Sequence, residues 1–135
     1  MKHILIAFLL IAGFSATAQQ DALEASNVEK RTISASFSKI SVMDGIDLYL
    51  SQSKDQAVAV SASEEKYLKR IITEVENGTL KIYYDTKGPT LNGKKHLKAY
   101  VSFDQIDHLT ATSGASVVLK EKITLNQLKV KLTSG

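Results

Sequence analysis

From Thr32 onward the chain alternates β-branched or aromatic residues with polar ones. Leu97, Ala99, Val101 and Phe103 interleave with Lys98, Tyr100 and Ser102, and Leu128, Val130 and Leu132 interleave with Lys129 and Lys131. Val58 and Val60 form a shorter run of the same kind. A period of two sends successive side chains to opposite faces, so these runs predict strands with one buried and one wet face. One segment departs from the pattern. Ser63 to Lys69 offers Ser63 as an N-cap candidate followed by Glu64 and Glu65, which predicts one or two helical turns. Asn77-Gly78 then sits between Ile71–Val75 and Thr79–Tyr84. Asn-Gly is the preferred two-residue hairpin loop because both central residues need positive φ. The predicted register sets Val75 opposite Leu80 and Glu74 opposite Lys81, an apolar pair and an opposite-charge pair. Lys87 to Lys95 holds Gly88, Gly93 and the only proline, Pro89, and predicts an exposed loop.

A second pattern is longer in range. Around Gly45, apolar residues fall at Ile40, Val42, Leu48 and Leu50; around Gly114, at Leu109, Ala111, Val117 and Leu119. Val130 and Leu132 stand in the same relation to Gly135. Strand, tight glycine corner and second strand give this pattern, since glycine tolerates positive φ and close backbone approach. The step from Gly114 to Gly135 matches one coil of a repeat architecture. The fold class expected is therefore mostly β: a right-handed β-helix or solenoid-like stack, with the hairpin and helical turn inserted between the Gly45 and Gly114 coils. A β-sandwich with repeated glycine corners is the alternative. The pattern breaks off at Gly135, which predicts a stack truncated at its C-terminus. It also predicts an open strand edge through which copies can self-associate.

The N-terminus bears on compartment. Lys2 and His3 precede an apolar run from Ile4 to Phe14, and Ala16-Thr17-Ala18 is a small-x-small site. That order predicts a signal peptide over residues 1–18, cleaved before Gln19. The run is shorter than the roughly 20 residues of a spanning helix, so no transmembrane anchor is expected after cleavage. Residues 19–31 are polar and aperiodic and are expected to form a flexible lead to a domain over 32–135. The expected location is the periplasm, the outer-membrane surface or the extracellular space.

Charge and cysteine content narrow the chemistry. The formal charge is only +3, and Arg31 and Arg70 are the sole arginines among 17 basic residues. Base-edge and phosphate readers favour the arginine fork, so nucleic-acid binding is not expected. With no cysteine, disulfides, thiolate nucleophiles and cysteine-based zinc sites are impossible.

Several segments, taken in order, resemble a known bacterial family. They are Phe37-Ser38-Lys39-Ile40, Gly45 to Leu50, Thr73 to Ile82, and the Thr112-Ser113-Gly114-Ala115-Ser116 corner. Together they resemble the domain named Putative auto-transporter adhesin, head GIN domain, over roughly Thr32 to Gly135. The resemblance implies export in Bacteroidota-type bacteria and a right-handed β-helix-like structure. Members of that family normally continue with further glycine-corner coils, which this chain lacks.

Candidate chemistry is sparse. His96 and His108 stand far apart in sequence, and Asp44, Asp47, Asp104 and Asp107 read as turn-capping residues rather than as calcium ligands or paired acids. No cofactor, metal or catalytic residue is expected, and the chain reads as a non-enzyme. The candidates for surface contact are Tyr49, Tyr83 and Tyr84, which could stack on a sugar or anchor a protein, and a basic strip of Lys120, Lys122, Lys129 and Lys131. Gly45, Asn77, Gly78, Gly114 and Gly135 are expected to be structural corners. The function expected is an exported structural or adhesion-like module of the cell envelope, contacting a surface glycan or protein. The alternatives are a carbohydrate-binding or carbohydrate-active β-helix domain, and an envelope-sensing interaction domain.

Overall fold

The computed structural model describes residues 27–119 and 121–134. The expected signal peptide, the lead as far as residue 26, Lys120 and Gly135 lie outside them. The strands are β1 (Val28–Arg31), β2 (Lys39–Val42), β3 (Asp47–Gln52), β4 (Ala57–Ser61), β5 (Ile71–Glu76), β6 (Thr79–Tyr84), β7 (Lys98–Phe103), β8 (His108–Ala111), β9 (Ser116–Leu119) and β10 (Lys129–Leu132), with one helical turn, α1 (Glu65–Leu68). They form two open five-stranded sheets, ordered β1-β4-β7-β3-β9 and β10-β8-β2-β6-β5. Both are mixed. β2 pairs in parallel with β6 and β8, β8 with β10, and β3 with β7 and β9, whereas β1–β4, β4–β7 and β5–β6 are antiparallel. The mostly-β class expected from the sequence is what the chain adopts.

The glycine-centred windows pair in register. Ile40 lies opposite Leu109, Val42 opposite Ala111, and Leu48 opposite Val117. Each corner holds two residues at positive φ: Asp44 (62°) with Gly45 (74°), and Ser113 (53°) with Gly114 (80°). The corners also touch, because the Gly45 amide donates to the Ser113 carbonyl at 2.9 Å. Asn77 (51°) and Gly78 (77°) turn the hairpin by the same device, and its register sets Val75 opposite Leu80 and Glu74 opposite Lys81, as predicted.

Between the Gly45 and Gly114 windows the chain does more than insert an elaboration. β6 and β7 extend the two sheets on the far side of β2 and β3, with Leu80 opposite Ile40 and Ala99 opposite Leu48. Both sheets feed one core. Ile40, Val42, Leu48, Val58, Val60, Leu80, Ile82, Ala99, Val101 and Phe103 are almost wholly buried in it. Each large side chain there contributes about 1.5–3 kcal/mol through removal from water.

Four expectations are corrected. β7 has no wet face, since Tyr100 and Ser102 are buried along with Ala99 and Val101. The strand is central, and Tyr49 and Ala59 cover its second side. β10 has no buried face, since Val130 and Leu132 are exposed at the sheet edge. Ser63 does not cap α1. Glu64 holds that position without a side-chain bond, and the Ser63 hydroxyl donates instead to the Lys94 carbonyl at 2.7 Å. Finally, the lead expected over residues 19–31 is strand from Val28 to Arg31. Its ladder to β4 and the Arg31 guanidinium, which donates to the Ile71 and Leu68 carbonyls at 2.6 and 3.0 Å, hold it in place.

Candidate functional site

The expected contact residues fall in three places. Tyr49 lies on the outer face of β3, directly opposite Tyr100 in the ladder. The two rings stack at 5.3 Å between centroids and 22° between planes, and the Lys98 ammonium stands 5.8 Å from the Tyr49 centroid. Tyr49 is thus half-buried and already partnered. Tyr83 lies on the hairpin, where its hydroxyl donates to Glu74 Oε1 at 3.1 Å. Partial desolvation, then that bond to Glu74, push its phenol above the ordinary value. Lys81 pairs with Glu76 Oε1 at 3.0 Å rather than with Glu74, and this bond raises its ammonium. The charge pair predicted across the hairpin therefore runs diagonally, while Glu74 accepts from Tyr83. Lys129 and Lys131 are exposed on β10, but Lys122 lies on the connection from β9 to β10. Among the described residues the basic strip is therefore confined to one edge strand plus a loop.

A further gathering of polar side chains lies at the β6–β7 connection. This loop is exposed, as predicted, yet pinned. The Tyr67 hydroxyl donates to the Asn92 carbonyl, the Ser63 amide to the Lys95 carbonyl at 2.8 Å, and the Asp85 amide to the Arg70 carbonyl at 2.7 Å. Gly93 (φ 117°) is required there, because a Cβ would stand 2.6 Å from the Tyr67 hydroxyl. Between the loop and the Gly45 corner is a cavity of about 290 Å³, lined by Asp44, Arg70, Tyr84, Thr86, Thr90 and Lys95 together with Leu91 and Leu97.

Each polar group arrives from a different element. Asp44 sits at the glycine corner, and its Oδ2 accepts from the Tyr84 amide at 3.1 Å. Arg70 follows α1, its guanidinium against Gly88 of the loop. Lys95 ends the loop, with its ammonium 5.6 and 6.0 Å from the Tyr67 and Tyr84 ring centroids. Tyr84 closes β6 and is only 8% exposed, and its hydroxyl lies beside the Arg70 guanidinium with no acceptor for its proton among the described residues. Burial raises its phenol above the ordinary value, and the Arg70 charge offsets part of that rise. A protonated hydroxyl, a guanidinium and an ammonium thus converge as donors, with one carboxylate as acceptor. Tyr84 was visible as a candidate aromatic, whereas Arg70, Lys95 and Asp44 gave no periodic signal linking them.

A second cavity, of about 390 Å³, is mostly apolar and opens beside the β9–β10 connection, against Leu50, Phe103, Ile106 and Leu109. Among the described residues no three of His, Asp and Glu gather as a metal cluster, and no helix is long and apolar enough to cross a membrane.

The architecture is shared with solved structures. A putative adhesin from Bacteroides fragilis NCTC 9343 superposes with TM-score 0.70 at 15% identity, over 79% of this chain and 49% of that one. A putative lipid binding protein from Parabacteroides distasonis gives 0.61 at 21% identity, over 79% and 46%. A putative adhesin from Parabacteroides merdae gives 0.64 at 13% identity, over 79% and 44%. The chain therefore spans about half the length of these structures, and at such identities the likeness is one of fold. No curated protein matches the chain. Its stacked glycine corners and parallel ladders fall within the segment, residues 36–135, that matches a family model, and the chain belongs to the family named Putative auto-transporter adhesin, head GIN domain.

Proposed function

We propose that this chain is an exported, non-enzymatic module of the bacterial cell envelope that makes adhesive contacts from a rigid β-solenoid surface. One observation carries the reading. The Gly45 and Gly114 corners stack through a direct backbone bond, and the strands entering and leaving them pair in parallel and in register. Successive turns of a solenoid repeat one surface at a fixed spacing, which suits many weak contacts acting together. Family membership and the adhesin neighbours support it. The exposed surface of β10, with Lys129 and Lys131, and the half-exposed Tyr83 supply contact groups for a cell-surface glycan or protein.

The test compares the purified chain as a monovalent solute and as many copies on beads, over immobilised acidic and neutral polysaccharides. Retention of the beads with weak binding of the free chain is expected. Polysaccharide cleavage, or equal indifference in both formats on every surface, would sink the reading.

A further inference from the structure

We propose that the cavity between the β6–β7 loop and the Gly45 corner is a binding site for a carboxylate-bearing sugar of the uronic acid class. The proposal deepens the adhesive reading and rests on it for its setting, but its chemistry comes from the cavity alone.

The buried Tyr84 hydroxyl lies beside the Arg70 guanidinium, which can donate to it but cannot accept its proton, and no acceptor for that proton is found among the described residues. An unmet polar group in a dry site costs about 1–3 kcal/mol, so a ligand that satisfies it recovers that loss. The same cavity presents Arg70 and Lys95 against the single carboxylate of Asp44. Asp85 lies close enough to act on Tyr84 but does not line the cavity, so the wall itself presents two cations to one carboxylate and favours an anion. Arg70 offers the planar fork that matches a carboxylate. The Tyr84 phenol is held protonated at neutral pH and so donates rather than repels.

Asp44 and the two threonines narrow the class further. A phosphate dianion would bring two negative charges toward the Asp44 carboxylate and has a single hydroxyl to offset that repulsion. A sugar acid carries hydroxyls that donate to Asp44, while Thr86 and Thr90 exchange hydrogen bonds with the rest of the ring. Leu91 and Leu97 supply apolar wall for the ring's C–H face. About 290 Å³ lies at the small end of ligand cavities, which run roughly 300–1,000 Å³, so the site takes one sugar ring rather than a chain. The site is also preorganised. Tyr67, Ser63 and the Arg70 carbonyl tie the loop down at several points, so little ordering entropy is lost on binding.

The experiment titrates the full chain with galacturonate, galactose, acetate and inorganic phosphate, following affinity and the amide resonances of Arg70, Tyr84 and Lys95. Galacturonate is expected to bind in the millimolar range, as a single sugar would, and the other three markedly more weakly. Arg70→Gln should weaken it about tenfold or more, and Tyr84→Phe about two- to tenfold. Tyr84→Phe keeps the ring, so the second variant remains informative if the first perturbs the loop. Galactose binding as tightly as galacturonate would overturn the proposal, as would phosphate or acetate doing so. So would affinity unchanged in both variants while they remain folded. Bead retention on polysaccharide, with no galacturonate shift at these three residues, would overturn the pocket and leave the adhesive reading standing. The shift without retention would support the pocket and count against adhesion.

Discussion

Gly45→Ala is the sharpest probe of the stacked corners. Gly45 sits at φ 74°, and a Cβ built there meets nothing within 4 Å. The substitution therefore adds no clash, and its cost is that of holding an L-residue in the left-handed region, about 1–2 kcal/mol. For a domain of this size each kcal/mol lowers Tm by about 4–8 °C. Gly114→Ala should cost the same, since φ is 80° and its Cβ would meet the Gly45 backbone at 3.9 Å, an ordinary contact. Because the two corners touch, the double variant should depart from additivity. Gly93→Ala adds a severe contact with Tyr67 to its positive φ, and should lose more than either. Thermal and urea unfolding of the four variants measure this ranking, with unchanged m-values showing that compactness is preserved. Gly45→Ala as stable as wild type would mean that the corner is not held at positive φ. A loss beyond about 4 kcal/mol would mean that packing, not backbone conformation, is what the glycine serves.

Other outcomes follow from the core and the cavity. Leu48→Ala empties a fully buried position between the sheets, and should cost about 2–5 kcal/mol in urea unfolding; a smaller loss would mean that the core collapses around the gap. Tyr84→Phe removes a buried hydroxyl whose proton has no acceptor among the described residues and should leave stability at neutral pH nearly unchanged. Its alkaline behaviour should differ from wild type. The folded phenol is raised above its ordinary 10.0, so the wild-type contribution is complete below that value and lost as pH rises through the folded one. Tm of wild type should then fall more steeply above pH 10 than that of Tyr84→Phe, and parallel curves would refute the assignment.

The parts of this fold legible in the sequence are those that rest on local backbone demands. Asn77-Gly78 announced both the hairpin and its register, because few residue pairs accept two positive φ values in succession. Gly45 and Gly114, flanked by apolar residues at matching offsets, announced strands that lie opposite one another in the ladder. What stayed hidden depends on neighbours brought from far along the chain. The glycines between β6 and β7, Gly88 and Gly93, are not flanked by apolar residues at the full set of corner offsets, so nothing local showed that Leu80 and Ala99 join the rows begun by Ile40 and Leu48. Alternation also misled in both directions. Leu128, Val130 and Leu132 have the same period as β7, yet burial depends on where in its sheet a strand lies, and period alone does not encode that. The cavity was illegible for the same reason: Asp44, Arg70, Tyr84 and Lys95 come from a corner, a helix exit, a strand end and a loop.

The two ends of the strand stack are unlike, and the difference predicts how the chain behaves at high concentration. On one side the sheets finish in the antiparallel strands β1 and β5, with α1 and the pinned loop nearby. On the other, among the described residues, the edge strands are β9 and β10, where Leu119, Val130 and Leu132 are 56%, 49% and 68% exposed and the apolar cavity opens. Natural sheets blunt such edges or pair them. Lys129 and Lys131 oppose uncontrolled pairing by charge repulsion, but Val130 between them and Leu132 after them favour it. Val130→Lys together with Leu132→Lys tips that balance toward repulsion. Both positions are exposed, so the double variant should change stability by no more than about 1 kcal/mol, while reducing any concentration-dependent mass measured by light scattering. Wild type that stays monomeric at every concentration would show that the lysines alone suffice to protect the edge. A double variant that loses several kcal/mol would show that β10 packs inward in solution, against the exposure on which the reasoning depends.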